Sequence, residues 1–246
     1  MIAAIMQPTY LPWLGYFDLI DQSDIFVFLD SVQFERRSWQ QRNQIKTNDR
    51  LEWLTVPVLK SGHYDQVIKD VEIMYTDLFP MKHIRTIEHN YRRSANFGKY
   101  FPPLTSILEA REPMLSALNQ RLILWLAKMF GIRTEFTRSS DMHAKGSRSA
   151  LLANICRELG ATTYLSPLGS AGYIVEEQGI FAQNGITVLF QHYEHPQYRQ
   201  PSEPFLPFAS ALDLLFNEGE RSLGIIRSGR LVHYSMDEAR QLVAIG

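Results

Sequence analysis

The opening of the chain constrains its fold more than any other stretch. Met1-Ile2-Ala3-Ala4-Ile5-Met6 is an apolar run with no polar interruption. Such a run suits a strand buried on both faces in a parallel sheet, where a half-exposed strand would alternate. Gln7-Pro8-Thr9 ends it, and Leu14, Phe17, Leu19 and Ile20 then recur at helical spacing within 11–20. Ile25-Phe26-Val27-Phe28-Leu29 reads as a second buried strand, closed by Asp30. Strand, turn, helix and strand within about 30 residues make a βαβ unit. A parallel pair needs helices on both faces, so the rest of the chain must supply them.

The remaining pattern agrees. Leu51–Val58 is β-prone, with Pro57 near its end, and Gln66–Ile73 alternates around Val67, Val71 and Ile73 as a further strand. Thr76–Tyr91 has helical spacing through Leu78, Met81, Ile84 and Ile87, its start delayed by Pro80. Pro113–Phe130 is the clearest helix, with proline in its first turn and Gly131 just past its end. Arg133–Thr137 is a short β candidate, and Ser147 caps a helix carrying Leu151, Leu152, Ile155, Cys156 and Leu159, closed by Gly160. Thr162–Leu165 is a strand, followed by a loop, a helix around Ile174–Ala182, and the strand Ile186–Phe190. Ala209–Asn217 is a helix stopped by Gly219, and two short helices finish the chain. Strands alternating with helices predict an α/β fold, a Rossmann-like, mainly parallel sheet with helical additions. The whole of 1–246 is expected to be one domain, with the helical segment 76–130 as a candidate subdomain. Ser31–Arg50 reads as a polar loop, and 195–207 is the longest irregular stretch late in the chain, a length often tied to function.

Composition removes several classes. Hydrophobic residues make up 45% and charged residues 21%, with a formal net charge of -1, so the chain can bury enough apolar surface to fold. Its one cysteine, Cys156, excludes an intrachain disulfide and a paired-cysteine metal site. No apolar run approaches the ~20 residues of a membrane-spanning helix, and Gln7 and Pro8 interrupt an N-terminus that lacks a basic leader segment. Near-neutral charge argues against indiscriminate polyanion binding. The expectation is a soluble, cytoplasmic protein without membrane insertion or a metal.

Four constellations carry candidate chemistry. The first is the turn after strand one, with Gln7, Thr9, Tyr10, Trp13 and Tyr16, because open α/β sheets bind ligands beyond the carboxyl ends of their strands. Simple packing of Trp13 and Tyr16 between helix and sheet weighs equally. The second follows strand two: Asp30, Gln33, Arg36, Arg37, Trp39, Arg42, Asn43 and Lys46. Arginine forks grip phosphate, Trp39 or Phe34 can stack on a base or sugar ring, and Asp30 can accept from an amine or a ribose hydroxyl. A solvated charged loop is the plainer alternative. The third is the loop at Gly169 and Ser170, whose backbone amides can cradle an anion, although an ordinary strand-to-helix turn is the commoner meaning of such a loop. The fourth is Gln191, His192, Tyr193, Glu194 and His195, in which His195 or His192 titrates near neutrality as a general base. His192 and His195 have metal-compatible spacing but no third ligand nearby. Ser139, Ser140 and Asp141 with Lys145 and Arg148 form a lesser phosphate candidate, and Cys156, on an apolar helix face, reads as packing.

Several blocks recur together in order: Met6–Asp18; Val32-Gln33-Phe34 with Arg37–Asn43; Trp53–Pro57; Gly185-Ile186 through Phe190–Tyr193 with His195-Pro196; and Leu212–Asn217 with Gly219. On these blocks the chain resembles the WbqC-like family over nearly its whole length. The resemblance implies a link to bacterial surface-polysaccharide (O-antigen) assembly and a transferase or ligase placing a small acyl group, glycyl in the proposal made for the family, on an amino sugar carried by a nucleotide. Such chemistry needs a diphosphate grip (Arg36, Arg37, Arg42, Lys46), a base (His195 or Asp30) and an oxyanion site (amides at Gly169 and Ser170). The first turn also resembles that of the nucleotidylyltransferase-like fold, though Trp13-Leu14-Gly15-Tyr16 stands where that fold carries His-x-Gly-His. Pantothenate synthetase has a similar opening and joins a carboxylate to an amine with ATP, so ATP is a candidate cofactor, and glycyl-tRNA a candidate donor. A non-catalytic nucleotide- or sugar-binding module and a nucleotidyltransferase or hydrolase on the same fold are the competing readings.

Overall fold

A computed structural model describes residues 1–59, 65–76 and 78–245. Its elements run β1 (Ile2–Met6), α1 (Leu14–Asp21), β2 (Ile25–Phe28), β3 (Arg42–Thr47), β4 (Arg50–Thr55), α2 (Met81–Tyr91), α3 (Phe97–Glu109), α4 (Leu115–Phe130), β5 (Glu135–Arg138), α5 (Arg148–Leu159), β6 (Thr163–Ser166), α6 (Ala171–Glu176), α7 (Gln178–Gln183), β7 (Thr187–Phe190), α8 (Ala211–Glu218), α9 (Ser222–Ser228) and α10 (Met236–Ile245). Five strands form one sheet in the order β5-β2-β1-β6-β7. All four pairings are parallel, with Ala3 opposite Ile25 and Tyr164, and Leu165 opposite Leu189. The fold is α/β and Rossmann-like with helical additions.

The uninterrupted apolar strands are buried on both faces, as their composition requires. On one face Ala4, Phe26, Phe28 and Leu165 join a cluster with Phe17 of α1, Leu122 of α4 and Leu215 of α8. Ile87 of α2 and Leu104 of α3 belong to the same cluster, so the helices of the 76–130 segment share the core of that sheet face. On the other face Ala3, Ile5, Val27 and Tyr164 pack with Ile155 and Cys156 of α5, Ile174 of α6, Phe181 of α7 and Ala239 of α10. Cys156 is fully buried there, and burial pushes its thiol up to about 12. Among the described residues no helix is long and apolar enough to cross a membrane.

Several local expectations are corrected. Ser31–Arg50 is not all loop, since Arg42–Thr47 pairs antiparallel with Arg50–Thr55 in a two-stranded hairpin, Gln44 opposite Trp53. Gln66–Ile73 is not a strand. It holds a 3-10 turn at Ile68–Asp70, flanked by the isolated bridges Gln33–Val67, Glu72–Met114 and Val58–Ile73. Ile68 and Val71, three residues apart, are both buried, which is the spacing of a turn rather than of a strand. The helix expected around Ile174–Ala182 is two six-residue helices that meet at Glu177, whose φ of -102° and ψ of 17° leave the helical range. Ser147 occupies the cap of α5, but its side chain makes no capping bond. The helix α3 escaped the sequence pattern because Pro102 and Pro103 lie inside it.

Candidate functional site

From β1 the chain moves outward through β2 to β5, then returns across to β6 and β7. The reversal falls between β1 and β6, and a sheet of this kind leaves a crevice beyond the carboxyl ends of those two strands. A cleft of ≈ 500 Å³ opens there. Gln7, Thr9, Trp13 and Tyr16 line it from the first turn, Glu35, Ser38, Trp39 and Gln40 from the 33–41 loop, and Asn43 from β3. Pro167, Ser170 and Tyr173 close the β6 side, and Phe208 adds a further wall. A slightly larger cavity of ≈ 530 Å³ lies between the β3–β4 turn and α2, lined by Asp49, Arg50, Lys82, Arg85 and His89 among others. Among the described residues its lining includes none from the central sheet and no Trp, Tyr or Phe, so the switch-point cleft is the better candidate for a ring-bearing ligand.

The first turn is held almost wholly by distant groups. Asn119 of α4, fully buried, donates through Nδ2 to Pro8 O at 3.0 Å and to Gln40 O at 2.8 Å. Asn43 Nδ2 donates to Leu11 O at 2.7 Å, and Ala211 N donates to Pro12 O at 2.8 Å. Tyr10 N donates to Trp39 O at 3.0 Å, and Gln40 Nε2 to Gln7 Oε1 at 2.7 Å. These bonds fix Leu11 at φ 45°, a left-handed conformation that a buried leucine rarely adopts. Arg37 at φ 59° and Phe208 at φ 66° stand in two other segments that form the cleft. Backbone strain of this sort persists where the surrounding structure overdetermines it, and it concentrates at ligand sites.

Trp13 anchors an aromatic group beside the turn. Its ring lies 5.7 Å from Tyr193, 6.1 Å from His195 in a stacked arrangement, and 5.5 Å from Phe208, centroid to centroid. The indole passes directly over Gly15, where a Cβ atom would collide with it. His195 sits within Trp13, Tyr198, Phe205 and Phe208. Its Nδ1 donates to Pro196 O at 2.9 Å, which leaves Nε2 as the basic nitrogen, buried and without a partner. Burial holds its pKa below the usual histidine value.

Of the residues expected from the sequence, Gln7, Thr9, Trp13, Tyr16, Trp39, Asn43 and Ser170 come together in the cleft. The exposed residues Gln33, Arg36 and Arg37 belong to the loop that forms one wall. The others lie elsewhere, each for a physical reason. Tyr10 is fully buried and bonds His83 Nδ1 at 2.8 Å. Asp30 is buried, and its carboxylate accepts from Ser139 Oγ at 3.2 Å, Ser140 N and Oγ at 3.0 Å and Gln120 Nε2 at 3.4 Å, so it ties the end of β2 to that of β5. Arg42 turns to the far face of the hairpin, its guanidinium 4.2 Å over the Trp53 ring. Lys46 is buried with its ammonium on Pro204 O, and burial lowers its pKa against the opposing pull of Asp213. Gln191 donates to Gly15 O at 2.8 Å and to the buried Asp18 at 2.7 Å, while Arg230 holds the other oxygen of Asp18 at 2.9 Å. Tyr193 packs edge-on to Trp13 with a buried, unpartnered hydroxyl. Gly169 is not among the lining residues, and the Ser170 amide is already spent on Pro167 O at 3.1 Å, so only the rest of Ser170 faces the cleft. His192 is held by Val232 O at 3.3 Å and Tyr234 at 2.9 Å, apart from the His195 cage. Among the described residues no three His, Cys, Asp or Glu side chains gather as a metal site.

Asn119, Gln40 and Glu35 escaped the sequence reading, while Tyr173 closes the Ser166–Tyr173 loop that the sequence marks as its third constellation. Asn119 did leave a signal. It falls in phase with the apolar stripe Leu115, Leu118, Leu122, Ile123 and Leu126 of α4, and a polar side chain on a buried stripe needs partners.

No solved structure matches the chain significantly. It is 37% identical over 226 residues to a Mycobacterium tuberculosis protein, "Uncharacterized protein Rv1507c", covering 91% of this chain and 96% of that one. The profile of the WbqC-like protein family matches residues 7–225, a span that begins at the cleft-lining Gln7 and contains the turn, loop and hairpin just described. The chain belongs to the WbqC-like protein family.

Proposed function

We propose that the switch-point cleft binds an amino sugar carried on a nucleotide, and that the protein attaches a small acyl group, glycyl in the leading case, to the sugar's amine during surface-polysaccharide assembly. The observation that carries this reading is the lining: indoles and phenol rings interleaved with neutral amides and hydroxyls. Trp13 and Trp39 offer apolar faces to the C–H face of a pyranose, while Gln7, Ser38 and Ser170 offer donors and acceptors to its hydroxyls. Arg37, on the same loop, brings positive charge for a diphosphate.

Amide formation requires the sugar ammonium to lose a proton before its nitrogen attacks the activated acyl carbon. Glu35 is the one carboxylate among the described lining residues and takes that proton in this reading. The acyl donor is a carboxylate activated by ATP as an adenylate, with pyrophosphate released, or a glycyl-tRNA; the sugar nitrogen forms the amide bond as the acyl–oxygen bond breaks, and AMP or the free tRNA leaves.

A specific observation favours a second reading, a binding module without catalysis: Asp30 and His195, the bases expected from the sequence, both lie outside the cleft lining. Incubation with a nucleotide-linked amino sugar, glycine and ATP, read by mass spectrometry, separates the two. A glycyl mass gain that disappears in Glu35→Gln, with sugar binding retained by calorimetry, supports transfer. Binding with no mass gain under any donor supports the module.

A further inference from the structure

Exposed tryptophan is uncommon, because the side chain carries a large apolar area. Trp39 is 50% exposed and Trp53 40%, and their rings lie 5.2 Å apart at an angle of 40°. Trp53 sits on β4 opposite Gln44, and Arg42 sits opposite Thr55, so Arg42 and Trp53 are diagonal neighbours on one face of the hairpin. The Arg42 guanidinium stacks 4.2 Å from the Trp53 ring centroid, and its Nε is buried without a partner. Asn43 and Leu54, on the opposite face, are buried. The hairpin therefore packs Asn43 and Leu54 inward and presents the Trp53 indole and the Arg42 guanidinium on the other face, where Trp39 of the preceding loop meets Trp53.

We propose that Trp39, Trp53 and Arg42 form a stacking platform for the planar base of a nucleotide, outside the cleft and continuous with it. Trp39 supplies the continuity, because it lines the cleft and also touches Trp53. Charge selects the occupant. Arg42 at the pair and Arg37 on the adjoining loop complement phosphate, whereas a second neutral sugar ring would leave both cations unused. Base stacking on aromatic rings tolerates any base, so the platform fixes the nucleotide end of the ligand without choosing its identity. The order sugar, diphosphate, base then runs from cleft to loop to hairpin. This inference rests on the cleft reading above for the sugar end alone.

Calorimetric titration of the full chain with UDP, with ADP and with free glucosamine tests it, alongside Trp53→Ala and Trp53→Phe variants checked by thermal melting. Both nucleotides are expected to bind the parent and to bind Trp53→Ala about tenfold more weakly. Trp53→Phe, which keeps a ring, recovers part of the loss, and glucosamine binding does not change in either variant. Absent nucleotide binding, or equal binding by parent and Trp53→Ala, overturns the platform. So does a Trp53-dependent affinity for a neutral disaccharide without one for UDP or ADP. Nucleotide binding lost in Trp53→Ala, in a protein that binds no glucosamine, leaves the platform standing and removes the cleft reading instead.

Discussion

Replacing Gly15 by alanine offers a test of the cleft wall whose sign can be worked out beforehand. Gly15 lies inside α1, where alanine ordinarily stabilises a helix by about 1 kcal/mol over glycine. Here the added methyl would occupy space held by the Trp13 indole. The ring must leave its place against Tyr193, His195 and Phe208. Three such aromatic contacts contribute about 0.5–1.5 kcal/mol each, so their loss outweighs the propensity gain and leaves a net destabilisation of roughly 0.5–3.5 kcal/mol. In a Trp13→Ala background the obstacle is gone, and the same Gly15→Ala change becomes stabilising by about 1 kcal/mol. Urea unfolding of the two single variants and the double variant measures this reversal directly. Ligand affinity falls in both single variants, because each removes the indole from the cleft. A Gly15→Ala protein as stable as its parent, or the same sign in both backgrounds, would refute the assignment of Trp13 as a wall fixed by the missing Cβ.

Three further outcomes follow from buried groups. Asn119→Ala strips the buried carbonyls of Pro8 and Gln40 of their donor, and a loss of about 2–4 kcal/mol in urea unfolding is expected, accompanied by weaker ligand binding. Asp30→Asn turns an amide hydrogen toward groups that all donate to Asp30, so stability drops while any transfer activity of the folded protein persists; turnover abolished with the fold and ligand binding intact would restore Asp30 as a base. His83 is pushed from 6.5 down to about 4, chiefly by burial, with a hydrogen bond to the Thr55 backbone opposing the shift. Its folded-state pKa lies below the unfolded value, so its contribution is complete above pH 6.5 and is lost as the pH falls toward about 4. His83→Gln should flatten the decline of stability across that window in acid titrations followed by circular dichroism.

The sheet was legible because its two central opening strands, β1 and β2, are apolar throughout and its helices carry clear stripes. Ile2–Met6 and Ile25–Phe28 pair as the opening pattern requires. The hairpin was legible only in its second strand. Arg42-Asn43-Gln44-Ile45-Lys46-Thr47 looks like a charged loop, since three of its four buried positions are filled by Asn43, Lys46 and Thr47, whose partners are Leu11 O, Pro204 O and Arg50 O. Local polarity cannot reveal such partners. The same limit governed the site. The turn and Trp39 were found because aromatic and amide residues at a strand end are a local signal. The destinations of Asp30, Lys46 and His195 were set by contacts with residues 139–140, 204 and 208, which no short window of sequence contains.

The manner in which the first turn is held has a consequence for its dynamics. A surface loop normally exchanges its amide hydrogens through small local openings. This turn has almost no hydrogen bonds of its own: the carbonyls of Pro8, Leu11 and Pro12 and the amide of Tyr10 are engaged by residues 119, 43, 211 and 39. Opening it means parting α4, the hairpin and the start of α8 from one another. The Tyr10 and Ala211 amides should therefore exchange as slowly as those of β1, making the most loop-like part of the cleft one of the last to yield.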